Sequence, residues 1–146
     1  CGILTGGHII LGLPGETHDT MVAQAGMLSE LPLSTLKIHQ LQLIRGTRMA
    51  HEYEENPTGF HLFREVDEYI DLVIDYVEHL HPDLVLERFV SQSPKELLIA
   101  PDWGLKNYEF VTRLQKRMKE RGAYQGKKYR DSEKRVIFAE DNFTTE

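Results

Sequence analysis

The chain has 146 residues, 40% hydrophobic and 27% charged, which excludes a disordered or collagen-like chain and is enough for one ordinary domain. Its longest apolar run, residues 9–13, is far short of the ~18 a membrane helix needs, and its one cysteine excludes an internal disulfide framework and points to a reducing, cytoplasmic setting. The net charge of −6 is unevenly spread: residues 1–104 hold 6 basic and 16 acidic residues, 105–135 hold 11 and 4, and 136–146 hold 0 and 3, so an anionic partner is expected for one region only.

Cys1-Gly2-Ile3-Leu4-Thr5-Gly6-Gly7 has neither the charged head nor the apolar core of a signal peptide and runs straight into a strand pattern, so a chain cut from a longer protein is expected. Residues 8–12 read as a strand apolar on both faces, as in a parallel sheet covered by helices. Leu13-Pro14-Gly15-Glu16 is a turn. Thr17 is the N-cap of a helix over about 17–31, with Met21, Ala25 and Leu28 on one stripe and Pro32 at its end. Residues 36–43 read as a second strand whose alternation slips near Gln40-Leu41. Strand–helix–strand with short connections implies a right-handed parallel unit.

Arg45-Gly46-Thr47-Arg48 is a turn, and residues 49–59 read as a helix end and loop. A long helix is predicted over about 66–80, its stripe formed by Val66, Tyr69, Ile70, Val73, Val77 and Leu80. Residues 84–90 form a third strand. Then come an irregular stretch, Ser91-Gln92-Ser93-Pro94, and a short apolar run, residues 97–100, stopped by Pro101. A last helix over about 107–121 carries Phe110, Val111, Leu114 and Met118 on one side. From Gly122 no periodicity holds, and the acidic end reads as a tail or arm.

Ile10-Leu11-Gly12-Leu13-Pro14-Gly15-Glu16 brings a strand into a glycine-bracketed turn that opens a helix. Glycines there allow close approach of a ligand to the backbone, and a helix start offers free N–H groups; a tight strand-to-helix turn explains the same residues. Neither a Walker loop nor a dinucleotide fingerprint is present. His79-x-His81 sits at a helix end, where cations are favoured, and His51-Glu52 lacks a second His four residues on, so no metal site is expected in this chain. His39, in a strand, is a candidate for touching substrate. Glu87-Arg88 reads as a buried ion pair or a substrate clamp. No His/Asp pattern accompanies Ser91-Gln92-Ser93, so nucleophilic catalysis is not expected. Arg113, Lys116, Arg117, Lys119, Arg121, Lys127, Lys128 and Arg130 have Tyr124 and Tyr129 interleaved. Such a set suits RNA phosphates and bases, or forms a solvated helix face.

The glycine turn resembles the Gly-x-Ile-x-Gly-x-x-Gly-Glu motif that closes the fifth strand of the partial (β/α)6 barrel of radical S-adenosylmethionine (SAM) enzymes. Ile10, Gly12, Gly15 and Glu16 match it, and the first glycine falls on His8. Residues 37–43 followed by Gly46-Thr47 resemble the sixth strand. Glu87-Arg88-Phe89 with Ser91-Gln92-Ser93-Pro94, Asp102-Trp103-Gly104-Leu105-Lys106-Asn107, and Gln125-Gly126 resemble the YhcC/YtqA-type radical SAM proteins, relatives of the Elongator catalytic subunit and of oxygen-independent coproporphyrinogen oxidase. The resemblance runs to near Tyr129.

The resemblance implies an α/β fold: the last two β/α units of the barrel over 1–82, a C-terminal extension with a basic helix over 83–130, and a tail over 131–146. It implies a C-terminal fragment of a radical SAM iron–sulfur enzyme. In the parent, a [4Fe–4S] cluster would cleave SAM reductively, and the resulting 5′-deoxyadenosyl radical would abstract hydrogen from substrate. The family's three cluster cysteines have no counterpart beside Cys1, so neither cofactor is expected on the fragment, which alone is expected to be inactive. The adenosine side of the SAM site maps to Ile10, Gly12, Gly15, Leu41, Gln42 and Leu43, with Glu16 tying down the turn. Substrate candidates are His39, Glu87 and Arg88. The implied substrate is a tRNA modified at a wobble uridine, with Arg113, Lys116, Arg117, Lys127 and Lys128 as RNA-binding candidates. The alternatives are a porphyrin-like small-molecule substrate or a non-catalytic RNA- or protein-binding module. A barrel cut before its fifth strand is expected to dimerise through the exposed edge.

Overall fold

A computed structural model describes residues 2–130; Cys1 and the tail expected over 131–146 lie outside the described residues. Strand β1 (Gly6–Leu11), helix α1 (His18–Ser29) and strand β2 (Thr35–Gln40) form a βαβ unit. The two strands pair in parallel, Ile10 opposite His39 and Leu11 opposite Gln40. Thr17 caps α1 as its sequence predicts: its hydroxyl accepts from the Thr20 N–H (3.2 Å) and the Thr20 hydroxyl accepts from the Thr17 N–H (2.8 Å). Met21 and Ala25 are buried, and Leu28 packs against the same core.

The strand expected over 36–43 divides at the slip in its alternation. Gln40 and Leu41 are both buried, which one pleated strand cannot arrange on a single face. The chain therefore leaves the parallel sheet and forms a short β3 (Leu43–Ile44). Arg48, expected in the turn, begins a complete helix, α2 (Arg48–Glu55), and residues 49–59, expected as a helix end and loop, hold the rest of it and a 3-10 turn, Pro57–Gly59. The Thr47 hydroxyl accepts from the Ala50 N–H at 3.2 Å, and Arg48 pairs with Glu52 one turn on at 2.8 Å. These local bonds start a helix whose one buried residue is Ala50, so no apolar stripe announces it.

Helix α3 (Val66–Glu78) crosses back and leads into β4 (Val85–Arg88), which pairs in parallel with β2. The sheet order is β1-β2-β4, so the parallel sheet runs on past residue 82. The run 97–100 becomes β5 (Leu98–Ala100), antiparallel to β3. Helix α4 (Asn107–Arg121) follows, as its periodicity predicts. One core joins Leu11, Leu36 and Ile38 from the sheet to Tyr69, Val73 and Tyr76 from α3 and Phe110 and Leu114 from α4. A fully buried side chain such as Phe110 contributes about 1.5–3 kcal/mol. The sheet face bearing His8 and Ile10, expected to be covered, is open among the described residues: Ile10 is 46% exposed. No helix among the described residues is long and apolar enough to cross a membrane.

Tyr76 is fully buried, yet its hydroxyl has no hydrogen-bond partner among the described residues. Burial pushes the phenol pKa up, and the Glu16 carboxylate adds to the shift. Tyr76→Phe keeps the ring and removes a desolvated donor, so the protein is expected to gain about 1 kcal/mol. A urea midpoint that falls in the variant would contradict this.

Candidate functional site

The connections after β1, β2 and β4 all leave from the carboxyl ends of parallel strands, the edge at which α/β sheets bind ligands. After β1 the chain turns at Gly12 and Gly15, with φ of +91° and +82°. Glu16 Oε2 accepts from the N–H groups of Gly12 (3.0 Å) and Leu13 (2.9 Å), and its Oε1 accepts from Gln24 at 2.7 Å. Glu16 is thus the clamp of the turn. A Cβ on Gly12 would stand 2.8 Å from the Phe63 ring, while one on Gly15 would meet open space. Gly12 is therefore required by packing as well as by its backbone angle.

Strand alternation places His8, Ile10, Lys37, His39 and Glu87 on the open face of the sheet. The His8 and His39 rings stack with centroids 5.5 Å apart, and the Ser91 hydroxyl lies 3.0 Å from His39 Nδ1. Glu87 pairs with Lys37 at 3.2 Å across the strands. The buried Glu87–Arg88 pair considered from sequence is not formed: Glu87 and Arg88 are both exposed, and the register shifts here so that Lys37, the partner of Glu87, stands opposite Arg88. Period-two alternation carries the signal for His8 and Lys37, which reading one histidine at a time passes over.

Burial holds the His39 imidazole below its ordinary pKa, and His8, Arg88 and Lys37 add to the shift. The folded form thus resists protonation that the unfolded chain accepts. Stability is expected to fall as pH drops through about 6.5 and to level off below the folded value. Urea midpoints compared at about pH 7.5 and about pH 5.5 should show this loss shrinking in His39→Gln; an identical loss in both proteins would remove His39 as its source.

Beyond β2, the Leu41 N–H donates to the Leu11 carbonyl (2.9 Å), and the side chains of Leu41 and Leu43 are buried in the small second core. Of Leu41-Gln42-Leu43, the main chain and Gln42 are what remain for a ligand. The loop after β4 is stitched to this segment. Gln40 accepts from the Ser91 N–H (2.7 Å) and donates to the Ser91 carbonyl (3.3 Å), while the Ser93 hydroxyl donates to Gln42 Oε1 (2.7 Å). Trp103 donates to the Phe63 carbonyl (2.8 Å), Asp102 accepts from the Gly104 N–H (3.0 Å), and Asn107 accepts from the Phe89 N–H (3.1 Å). The Ser91–Pro94 and Asp102–Asn107 motifs therefore build one place. Between them lies a cleft of about 390 Å³, lined by Gln42, Ser93, Lys95, Asp102, Trp103 and Lys106 among others.

The basic candidates divide into two groups. Arg117 makes two hydrogen bonds of 3.0 Å to Asp71, and Arg121 pairs with Asp71 and Asp75. The Arg117 guanidinium holds the Asp71 carboxyl below the usual range. Lys127 lies 3.8 Å from buried Glu78, and Lys128 is in direct contact with it. Gly126 and Lys128 donate their N–H groups to the last carbonyls of α3, at Val77 (3.1 Å) and Glu78 (2.7 Å). Gln125 donates to the carbonyls of His81 (2.8 Å) and Leu84 (2.7 Å), and a Cβ on Gly126 would stand 3.0 Å from Pro82. The Gln125-Gly126 motif is thus a bolt across the α3–β4 loop. Arg113 and Lys116 have no ion-pair partner among the described residues.

One cysteine supplies one thiolate, and the cluster of the radical SAM family takes three, so this chain's own residues do not fit a [4Fe–4S] cluster. No group of three or more candidate metal ligands occurs among the described residues. At the carboxyl edge Ile10 offers exposed apolar surface beside the turn clamped by Glu16.

Parallel β/α units with a glycine turn and a built cleft at the carboxyl edge define part of an α/β barrel. Residues 33–120 match the radical SAM C-terminal domain model, and the chain belongs to that family. It is 36% identical over 126 residues to YtqA of Bacillus subtilis, covering 86% of this chain and 38% of YtqA. It is 34% identical over 131 residues to MJ0486 of Methanocaldococcus jannaschii, covering 88% of this chain and 39% of that protein. In structure it resembles Elp3 of the archaeon Methanocaldococcus infernus lacking residues 1–46, with a TM-score of 0.68 and 14% identity over 85% of this chain and 28% of that one; at that identity the likeness shows the fold alone. The chain thus spans 38–39% of the length of the curated relatives it matches.

Proposed function

We propose that this chain is the SAM- and substrate-facing C-terminal part of a radical SAM enzyme, the adenosine half of SAM resting on Ile10 and on the main chain of 41–43. The observation that carries the reading is the carboxyl edge of the sheet. There a turn clamped by Glu16 and a loop stitched by Gln40 and Gln42 hold an apolar residue and a polar face next to each other. SAM, when bound beside a cluster held by other parts of the parent, supplies radical chemistry. This chain's residues orient the adenosine and shape the substrate space; the stacked pair His8 and His39 presents hydrogen-bonding groups on that face. A tRNA wobble uridine is the substrate reading, supported by Arg113 and Lys116 of α4, which have no ion-pair partner among the described residues.

The test is anaerobic reconstitution of the longer protein with iron and sulfide, followed by reduction in the presence of SAM. Release of 5′-deoxyadenosine is expected, with SAM affinity reduced about tenfold or more in Ile10→Asp, which puts a charge where an apolar contact stood. A fully loaded, reduced protein that leaves SAM intact would end the reading.

A further inference from the structure

We infer that the cleft between β2, the 91–95 loop and the 101–106 segment binds an anionic group of the substrate, with Lys95 and Lys106 as its cations. The proposal rests on the reading of this edge as the substrate side of a radical SAM enzyme. It begins with which hydrogen-bonding groups in the cleft are spent and which are free. Gln40 is satisfied at both ends by the Ser91 main chain. The Gln42 oxygen is taken by the Ser93 hydroxyl, which leaves the Gln42 amide N–H groups as donors. The Trp103 N–H is taken by the Phe63 carbonyl and one Asp102 oxygen by the Gly104 N–H. The Lys95 and Lys106 ammonium groups have no ion-pair partner among the described residues, although both line the cleft. Free groups here are mostly donors, with two positive charges against one carboxylate, so a ligand rich in acceptors fits.

Position supports the same conclusion. Lys95 follows β4 and Lys106 follows β5, on the side of the sheet where the Gly12 turn and the 41–43 segment lie. Lys127 and Lys128 stand at the other end, where α3 finishes and β4 begins, and there they pair with Glu78. An anion held by Lys95 and Lys106 would place the rest of the substrate near the His8–His39 face. Phosphate of RNA and carboxylate of a small molecule share this chemistry, and the experiment separates them.

Two probes are titrated into the isotopically labelled 146-residue chain and followed by amide shifts: an anticodon stem-loop RNA and citrate. Shifts are expected at Gln42, Ser93, Lys95, Gly104 and Lys106 with at least one probe. Lys95→Gln with Lys106→Gln should weaken binding at least tenfold, and Lys95→Arg with Lys106→Arg should restore most of it, since charge rather than shape is needed. Binding of the RNA alone identifies phosphate as the source, and binding of citrate alone identifies carboxylate. The proposal is overturned if neither probe shifts these amides, if the double Gln variant binds as the parent chain does, or if only Lys127→Gln with Lys128→Gln reduces binding. Amide spectra of each variant show whether it has kept its fold. SAM cleavage by the longer protein is read separately, so loss of that activity with cleft binding intact would remove the enzyme reading and leave the anion site standing.

Discussion

Gly12→Ala is expected to destabilise the protein by about 2–5 kcal/mol, against about 1–2 kcal/mol for Gly15→Ala. Both glycines adopt positive φ, +91° and +82°, so an added Cβ meets similar backbone strain at each, roughly 1–2 kcal/mol. The positions differ in what surrounds them. At Gly12 the new carbon would lie 2.8 Å from the Phe63 ring, whereas at Gly15 nothing stands within 4 Å. Phe63 is buried between Tyr69 and the turn and has little room to yield, so overpacking adds about 1–3 kcal/mol. The same movement pulls the Gly12 N–H from Glu16. Because a domain of this size holds only about 5–15 kcal/mol in all, urea unfolding should separate the two variants clearly. Equal losses at both positions would mean that the Phe63 contact carries no energy.

The elements most legible in the sequence are those whose side chains alternate against a single core. Helices α1, α3 and α4 carry apolar stripes, and Met21, Tyr69, Val73 and Phe110 are buried as those stripes predict. Helix α2 was not legible because it is held by Thr47 and by an Arg48–Glu52 pair rather than by a buried face. The division of 36–43 into two strands showed only as a slip in alternation. The buried Gln40 amide at that slip is satisfied 51 residues away, by the N–H and carbonyl of Ser91. Long-range side-chain bonds of this kind leave no local periodicity. The turn of the candidate site was legible through its glycines and Glu16; the cleft was not, since its walls come from segments about fifty residues apart joined by Gln40, Gln42 and Trp103.

The basic segment shows the same limit and leads to the second large effect. Its sequence reads as free charge, but Lys127 and Lys128 close on Glu78, whose side chain is 4% exposed. Removing both lysines by Lys127→Gln and Lys128→Gln would leave a desolvated carboxylate without a counter-charge at the negative end of α3. A fully buried pair broken on one side costs about 3–5 kcal/mol. Here the lysines are 38% and 47% exposed, so water screens part of the loss and about 1–3 kcal/mol is expected. Adding Glu78→Gln to the double variant removes the unpaired charge and should recover most of that stability in urea unfolding, because the main-chain bonds from Gly126 and Lys128 to α3 remain. Recovery distinguishes a structural latch from a solvated face, for which each substitution would change stability by less than about 0.5 kcal/mol. It also distinguishes the latch from an RNA contact. Phosphate-bound lysines would leave unfolding unchanged, and their removal would flatten the salt dependence of RNA affinity by roughly one to two units on a log–log plot whether or not Glu78 is present.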